Sequence, residues 1–267
     1  MAVTATVPGH NGAQAASGDR ATSAFPADPS CLTAAQRRAM SPLSVRFPRN
    51  SGRDVALGHV TRPLWRGRVH LLALWFAVPS LMLLVVNTDT TVARVGVTIY
   101  AAGFCLMLTT SVTYHRWVHG LHARAMWRRA DHAMIFAAMA GSATPVALLA
   151  MPGLPGQMLV ASIWAASLAG AGFKLCRSER GDGIGSKFYA GVSVLSAFTF
   201  PFVWMHAGVM PAMLVALAGA CYILGAFWFS KYWPVLRPTT FSYHEVWHLF
   251  TVVAATAHFA AVWAIAT

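Results

Sequence analysis

Charge is scarce in this chain. Only 10 % of its 267 residues are charged, while 57 % are hydrophobic, and the mean hydropathy is +0.54. A soluble domain carries about 25 % charged residues, so an ordinary soluble globular fold is excluded. Acid is scarcer still, with eight Asp and Glu against twenty Lys and Arg, for a net charge of +12. Cysteine is sparse and unpatterned. Cys31, Cys105, Cys176 and Cys221 form no CxxC pair, and three of them lie in or beside apolar segments. A disulfide framework is therefore not expected, and these residues read as small buried hydrophobes. The first residues lack the apolar core of a secretory signal. Residues 1–65 as a whole lack a long apolar run and are rich in Ala, Ser, Thr, Gly, Pro and Arg. They read as a disordered, basic tail, with room for a short helix near Thr33–Met40 to which no function attaches.

What is present is a series of seven apolar segments, at about 69–87, 92–114, 131–150, 155–174, 188–206, 209–230 and 245–266. Each is about 20 residues, the length a helix needs to cross roughly 30 Å of hydrocarbon. Turn-like breaks separate them, among them Asn87 to Thr91, Met151 to Gly156, Arg180 to Gly185 and Pro234 to Pro238. The expected architecture is an all-α, polytopic seven-helix membrane bundle over residues 66–267, with no room for a second soluble domain. The basic residues set its orientation. Nineteen of the twenty Lys and Arg fall on one side of the spans, and Arg94 alone falls on the other. The positive-inside rule makes that side cytoplasmic, which places the N-terminus inside and the C-terminus outside. An odd number of spans agrees. The net positive charge is then topological, with some attraction to anionic lipid headgroups, and no nucleic-acid partner is expected. The expected location is the plasma membrane, with membrane lipids as partners; the sequence does not give the oligomeric state.

Three short motifs meet at the cytoplasmic end of such a bundle: Ser111 to His115, Asp131-His132, and His244 to His248. Ser111 and His115 stand at i and i+4, as do His244 and His248, so each pair shares a helix face. His244 and His248 can grip one metal ion, and His115 completes a three-nitrogen set that leaves a position for water. Zinc favours that donor set. Asp131 can orient the water and accept its proton, while Ser111 can hydrogen-bond the water or a substrate oxygen. Plainer roles exist for the last two. Asp131 can serve as an N-terminal acid of the third helix, and Ser111 can bond back to a carbonyl. His244-Glu245-Val-Trp-His248 also spells HExxH, but no soluble catalytic domain surrounds it, and Glu245 ranks below Asp131 as a base. His119, His122 and His132 read as solvated among arginines. His206 lies at the opposite side, His258 is deeper and turned away from His248, and His10 and His59 fall in the tail.

With Arg62 to His70 ahead of the first span, these motifs resemble the hemolysin III family, within the wider group of progestin and adipoQ (adiponectin) receptors. The likeness covers about residues 60 to 267. It implies a seven-helix bundle with a zinc ion near the cytoplasmic face, held by His115, His244 and His248, and with Asp131 and Ser111 near the metal's water. Relatives in the wider group look like zinc-dependent hydrolases of lipid amides, so a lipid amide or ester is the expected substrate. Two other readings stand beside this one: a structural zinc in a receptor-like or regulatory membrane protein, and a pore or cytolysin, which the family name alone suggests.

Overall fold

A computed structural model describes residues 63–176 and 184–267 of the chain. The proposed tail up to residue 62, with Cys31, His10, His59 and the helix near 33–40, lies outside the described residues, as do Arg177 and Arg180.

The described chain forms eight α-helices: α1 (Arg68–Val86), α2 (Thr91–Val112), α3 (Leu121–Ala150), α4 (Leu154–Cys176), α5 (Ile184–Ala197), α6 (Phe200–Ala207), α7 (Val209–Ser230) and α8 (Tyr243–Ala266). A single π-turn, Thr113–Trp117, extends α2. Together α5 and α6 make one crossing, interrupted at Phe198 and Thr199, so the helices provide seven apolar spans. The protein is a multi-pass membrane protein. Its outward apolar side chains, such as Trp75 at 74 % and Ile223 at 71 % exposure, suit contact with lipid, where exposure of large hydrophobes carries no penalty.

Helix α3 is the hub, packing against α2, α4, α5, α6 and α8. Its inward positions are mostly small: Ala133, Ala140, Gly141, Ala143 and Ala147. In hydrocarbon, association depends on van der Waals contact rather than on water release, so small residues that let backbones touch are favoured. The α2–α3 crossing uses this directly. A Cβ on Gly103 would lie 2.6 Å from the Ala137 carbonyl oxygen. Deeper in the bundle His258 of α8 meets the Ser142 carbonyl of α3 through Nε2 at 3.0 Å, so this histidine ties two helices together.

One boundary differs materially from the sequence reading. The third segment is expected to begin at Asp131, yet α3 begins at Leu121. The intervening residues His122 to Ala130 mix basic side chains with Ala, Met and Trp and contain no Gly or Pro, and Ala, Arg and Met are strong helix formers. An apolar window therefore detects only the apolar part of a longer helix. Asp131 sits ten residues in, about 15 Å along the axis. It cannot be the N-terminal acid of this helix, because the dipole effect fades within the first turn.

The segment ahead of α1 is tied to the bundle. The Leu64 and Trp65 amides donate to the Thr239 and Thr240 carbonyls at 3.0 and 3.1 Å. The chain entering α1 is thereby laid against the loop that enters α8.

Candidate metal centre

His115, His244 and His248 come together at the end of the bundle where α1, α3 and α8 begin. Their ligating nitrogens all lie within 4.8 Å of one another. Ring centroids are 4.8 Å apart for His115 and His244, 5.1 Å for His115 and His248, and 4.6 Å for His244 and His248. His115 and His248 are buried and His244 is half-buried. The two Nε2 atoms of His115 and His244 are 3.3 Å apart. Two nitrogens at 2.0–2.1 Å from one tetrahedral zinc stand about 3.3 Å apart, although the same distance also accommodates an N–H···N hydrogen bond. The Nδ1 of His248 is buried and has no hydrogen-bond partner among the described residues. Such an atom is costly unless something coordinates it. This histidine trio can hold a metal ion.

Local structure explains how each ligand gets there. His115 does not sit on a regular α-helix, since the π-turn at Thr113–Trp117 carries it. Single π-turns recur at functional sites because the extra residue re-aims a side chain. His244 and His248 lie in the first two turns of α8.

Asp131 is the carboxylate beside the trio. Its Oδ2 lies 3.8 Å from His115 Nε2, and its side chain is 13 % exposed. It lies close to Ser111. All five residues singled out from the sequence thus converge. The surroundings of Ser111, however, are not those that spacing suggests, because its hydroxyl is hydrogen-bonded to His70 Nδ1 at 2.8 Å.

Glu245 has a different role from the one HExxH evokes. It is fully buried, and both its oxygens are occupied. Arg66 Nε donates to Oε1, and the Ser242 amide donates to Oε2 at 2.8 Å. A carboxylate held on both oxygens is not poised as a base. It completes the start of α8 and ties the chain ahead of α1 to it. The sequence carries a signal for this, since Ser242-Tyr-His-Glu245 has the S-x-x-E spacing of a capping box.

His70 and Gly67 are the residues sequence reasoning left without a role. The His70 ring lies parallel to His248, with centroids 3.8 Å apart and planes 9° apart. Gly67 has φ of +74°, and a Cβ there would fall 2.8 Å from His115 Cβ. Neither was identifiable from spacing, because each acts across more than forty residues of sequence.

The remaining histidines stand apart from the trio. His122 is exposed, and His119 Nδ1 contacts the Trp117 carbonyl. His132 is half-buried rather than fully solvated, and its carbonyl accepts from the Tyr189 hydroxyl at 2.8 Å. The three described cysteines are free thiols.

Known proteins are similar to this chain in sequence. Hemolysin-3 of Bacillus cereus is 25 % identical over 186 residues, covering 68 % of this chain and 82 % of the relative. The Hemolysin-3 homolog of Bacillus subtilis (strain 168) is 22 % identical over 193 residues, covering 71 % and 87 %. The family profile described as haemolysin-III related matches residues 59–259, a stretch that runs from just ahead of the Arg66 anchor to beyond His248. With its seven spans and its histidine trio, this chain belongs to the haemolysin-III related family.

Proposed function

We propose that the chain is a zinc-dependent membrane hydrolase of lipid amides or esters. The observation that carries this reading is the convergence of three imidazoles and one carboxylate at the end of a lipid-embedded bundle. His115, His244 and His248 would hold the ion. Three nitrogen ligands leave a tetrahedral position open, as catalytic zinc sites do and structural sites usually do not. When bound, zinc supplies Lewis acidity and lowers the pKa of its water toward about 7.

The chain's own groups account for the proton traffic. Asp131 lies beside His115 and takes the proton released as water adds to the substrate carbonyl. It returns that proton to the leaving amine or alcohol as the carbon–nitrogen or carbon–oxygen bond breaks. Ser111 lies close to the Asp131 carboxylate. With the basic end facing the cytoplasm, as the distribution of Lys and Arg supports, the site lies where acyl chains and headgroups of the inner leaflet meet water. That location favours a lipid substrate.

The test uses purified full-length protein with alanine variants at His115, Asp131, His244 and His248. Metal content and turnover of lipid amides and esters are measured side by side. The expected outcome is about one zinc per chain in wild type, lost with the histidines and retained in Asp131→Ala, and hydrolysis lost in all four. Hydrolysis that survives in His248→Ala would overturn the reading.

A further inference from the structure

We propose that His70 is a positioning residue of the metal centre: its ring sets the plane of His248 and fixes the spacing of the two ligand-bearing helices. This rests on the reading that the histidine trio holds a metal.

His248 lacks the hydrogen bond that ordinarily orients a metal-binding ring. A metal-binding imidazole almost always has its second nitrogen hydrogen-bonded to a carboxylate, carbonyl or water, which locks the ring plane. Neither ring nitrogen of His248 is hydrogen-bonded among the described residues, so whichever one faces the metal, the other has no such partner. What lies against the ring instead is His70, parallel and 3.8 Å away between centroids. Stacking thus supplies the orientation that hydrogen bonding supplies elsewhere.

His70 is itself held at both ends. Its Nδ1 is hydrogen-bonded to Ser111 Oγ at 2.8 Å and its Nε2 to Thr251 Oγ1 at 3.1 Å. Ser111 precedes His115 by four residues, and Thr251 follows His248 by three. The Thr251 hydroxyl also donates to the His248 carbonyl at 2.8 Å. The imidazole of α1 is therefore a strut between the helix that carries His115 and the one that carries His248. With both nitrogens engaged by hydroxyls, His70 is not a fourth ligand. It is buried at 4 % exposure, where two hydrogen bonds to a non-ligand imidazole would otherwise have no evident use. The strut is anchored from behind by the Arg66–Glu245 pair, four residues earlier on the same segment.

The test compares wild type, His70→Ala and His70→Phe as full-length protein in detergent. Zinc affinity is read by chelator competition, the ligand field by the visible absorption of the cobalt(II)-substituted protein, and folding by thermal unfolding without metal. In His70→Ala, zinc affinity is expected to fall about 10- to 100-fold, the usual effect of losing a group that orients a ligand, and the cobalt bands should shift or broaden. His70→Phe keeps a flat ring against His248 and should recover part of the affinity, which also guards against failure of the alanine variant to fold. A role in bundle stability alone would lower the melting temperature of the metal-free protein and leave affinity and cobalt spectrum as in wild type. That outcome overturns the inference and leaves the metal site standing. Wild-type protein that takes up neither zinc nor cobalt would overturn both.

Discussion

The two ends of this bundle are built by different rules. At the end away from the histidines, connections are short and local. Thr90 caps α2 by accepting from the Ala93 amide at 3.1 Å, Gly153 turns the chain between α3 and α4, and Gly208 at φ +92° joins α6 to α7. Each of these groups satisfies backbone within a few residues of itself. At the histidine end the ties are long-range. Arg66 reaches Glu245, His70 reaches both Ser111 and Thr251, and Gly67 lies against His115. A turn that only closes two helices needs satisfied backbone groups and nothing more. A site that must hold three side chains within a few ångströms needs its helices locked in rotation and depth, and in lipid this falls to polar ties and close contacts.

That contrast can be broken most severely at a ligand. His248→Ala should weaken zinc binding by more than about 100-fold, beyond what is usual for groups that merely support a ligand; equilibrium dialysis with elemental analysis checks it. The same site gives a pH dependence. Protons compete with a metal for the imidazole nitrogens, so stabilisation by metal is present at neutral pH and is lost as pH falls into the acid range. Melting temperature measured with and without zinc across that range should converge at the acid end.

The next largest effect is expected at the buried ion pair. Glu245→Gln leaves the Arg66 guanidinium buried without its counter-charge and should cost about 3–5 kcal/mol. Adding Arg66→Met should restore most of that loss, since the glutamine oxygen still accepts from the Ser242 amide. Denaturant titration of the three proteins would decide this, and a double variant as unstable as the single one would argue against charge as the cause.

Two glycines sharpen the comparison between the ends. Both have positive φ, so alanine at either carries backbone strain of about 1–3 kcal/mol. Only at Gly67 does the added methyl meet a residue of the histidine trio, His115, whereas nothing lies within 4 Å of a Cβ at Gly208. Gly67→Ala should therefore lower both stability and zinc affinity, and Gly208→Ala stability alone. The smallest effect is expected for Thr90→Ala, a lost cap worth about 1 kcal/mol, with zinc affinity unchanged.

Much of this was legible in the amino-acid order. Seven apolar stretches gave seven spans because a membrane demands length and hydrophobicity of each helix separately. The extent of α3 was not legible from hydropathy, because basic residues among its first ten lower the hydropathy without breaking the helix. The trio His115, His244 and His248 was legible because i, i+4 spacing keeps two of them on one face and the spans return the third to the same end. The π-turn that carries His115 left no such signature.

The sequence by itself determined the number of spans, the side on which the basic residues gather, and the side chains available for a metal at one end. Only the tertiary structure decided what each of those side chains is for. Glu245, central to a familiar zinc motif, is consumed by Arg66 and the start of its own helix. Ser111 is hydrogen-bonded to His70. His70, which looked like part of a leading segment, stacks on His248. The physical reason is that apolarity and helical spacing act within a segment, whereas a buried polar group takes whichever partner the packing of distant helices brings within reach.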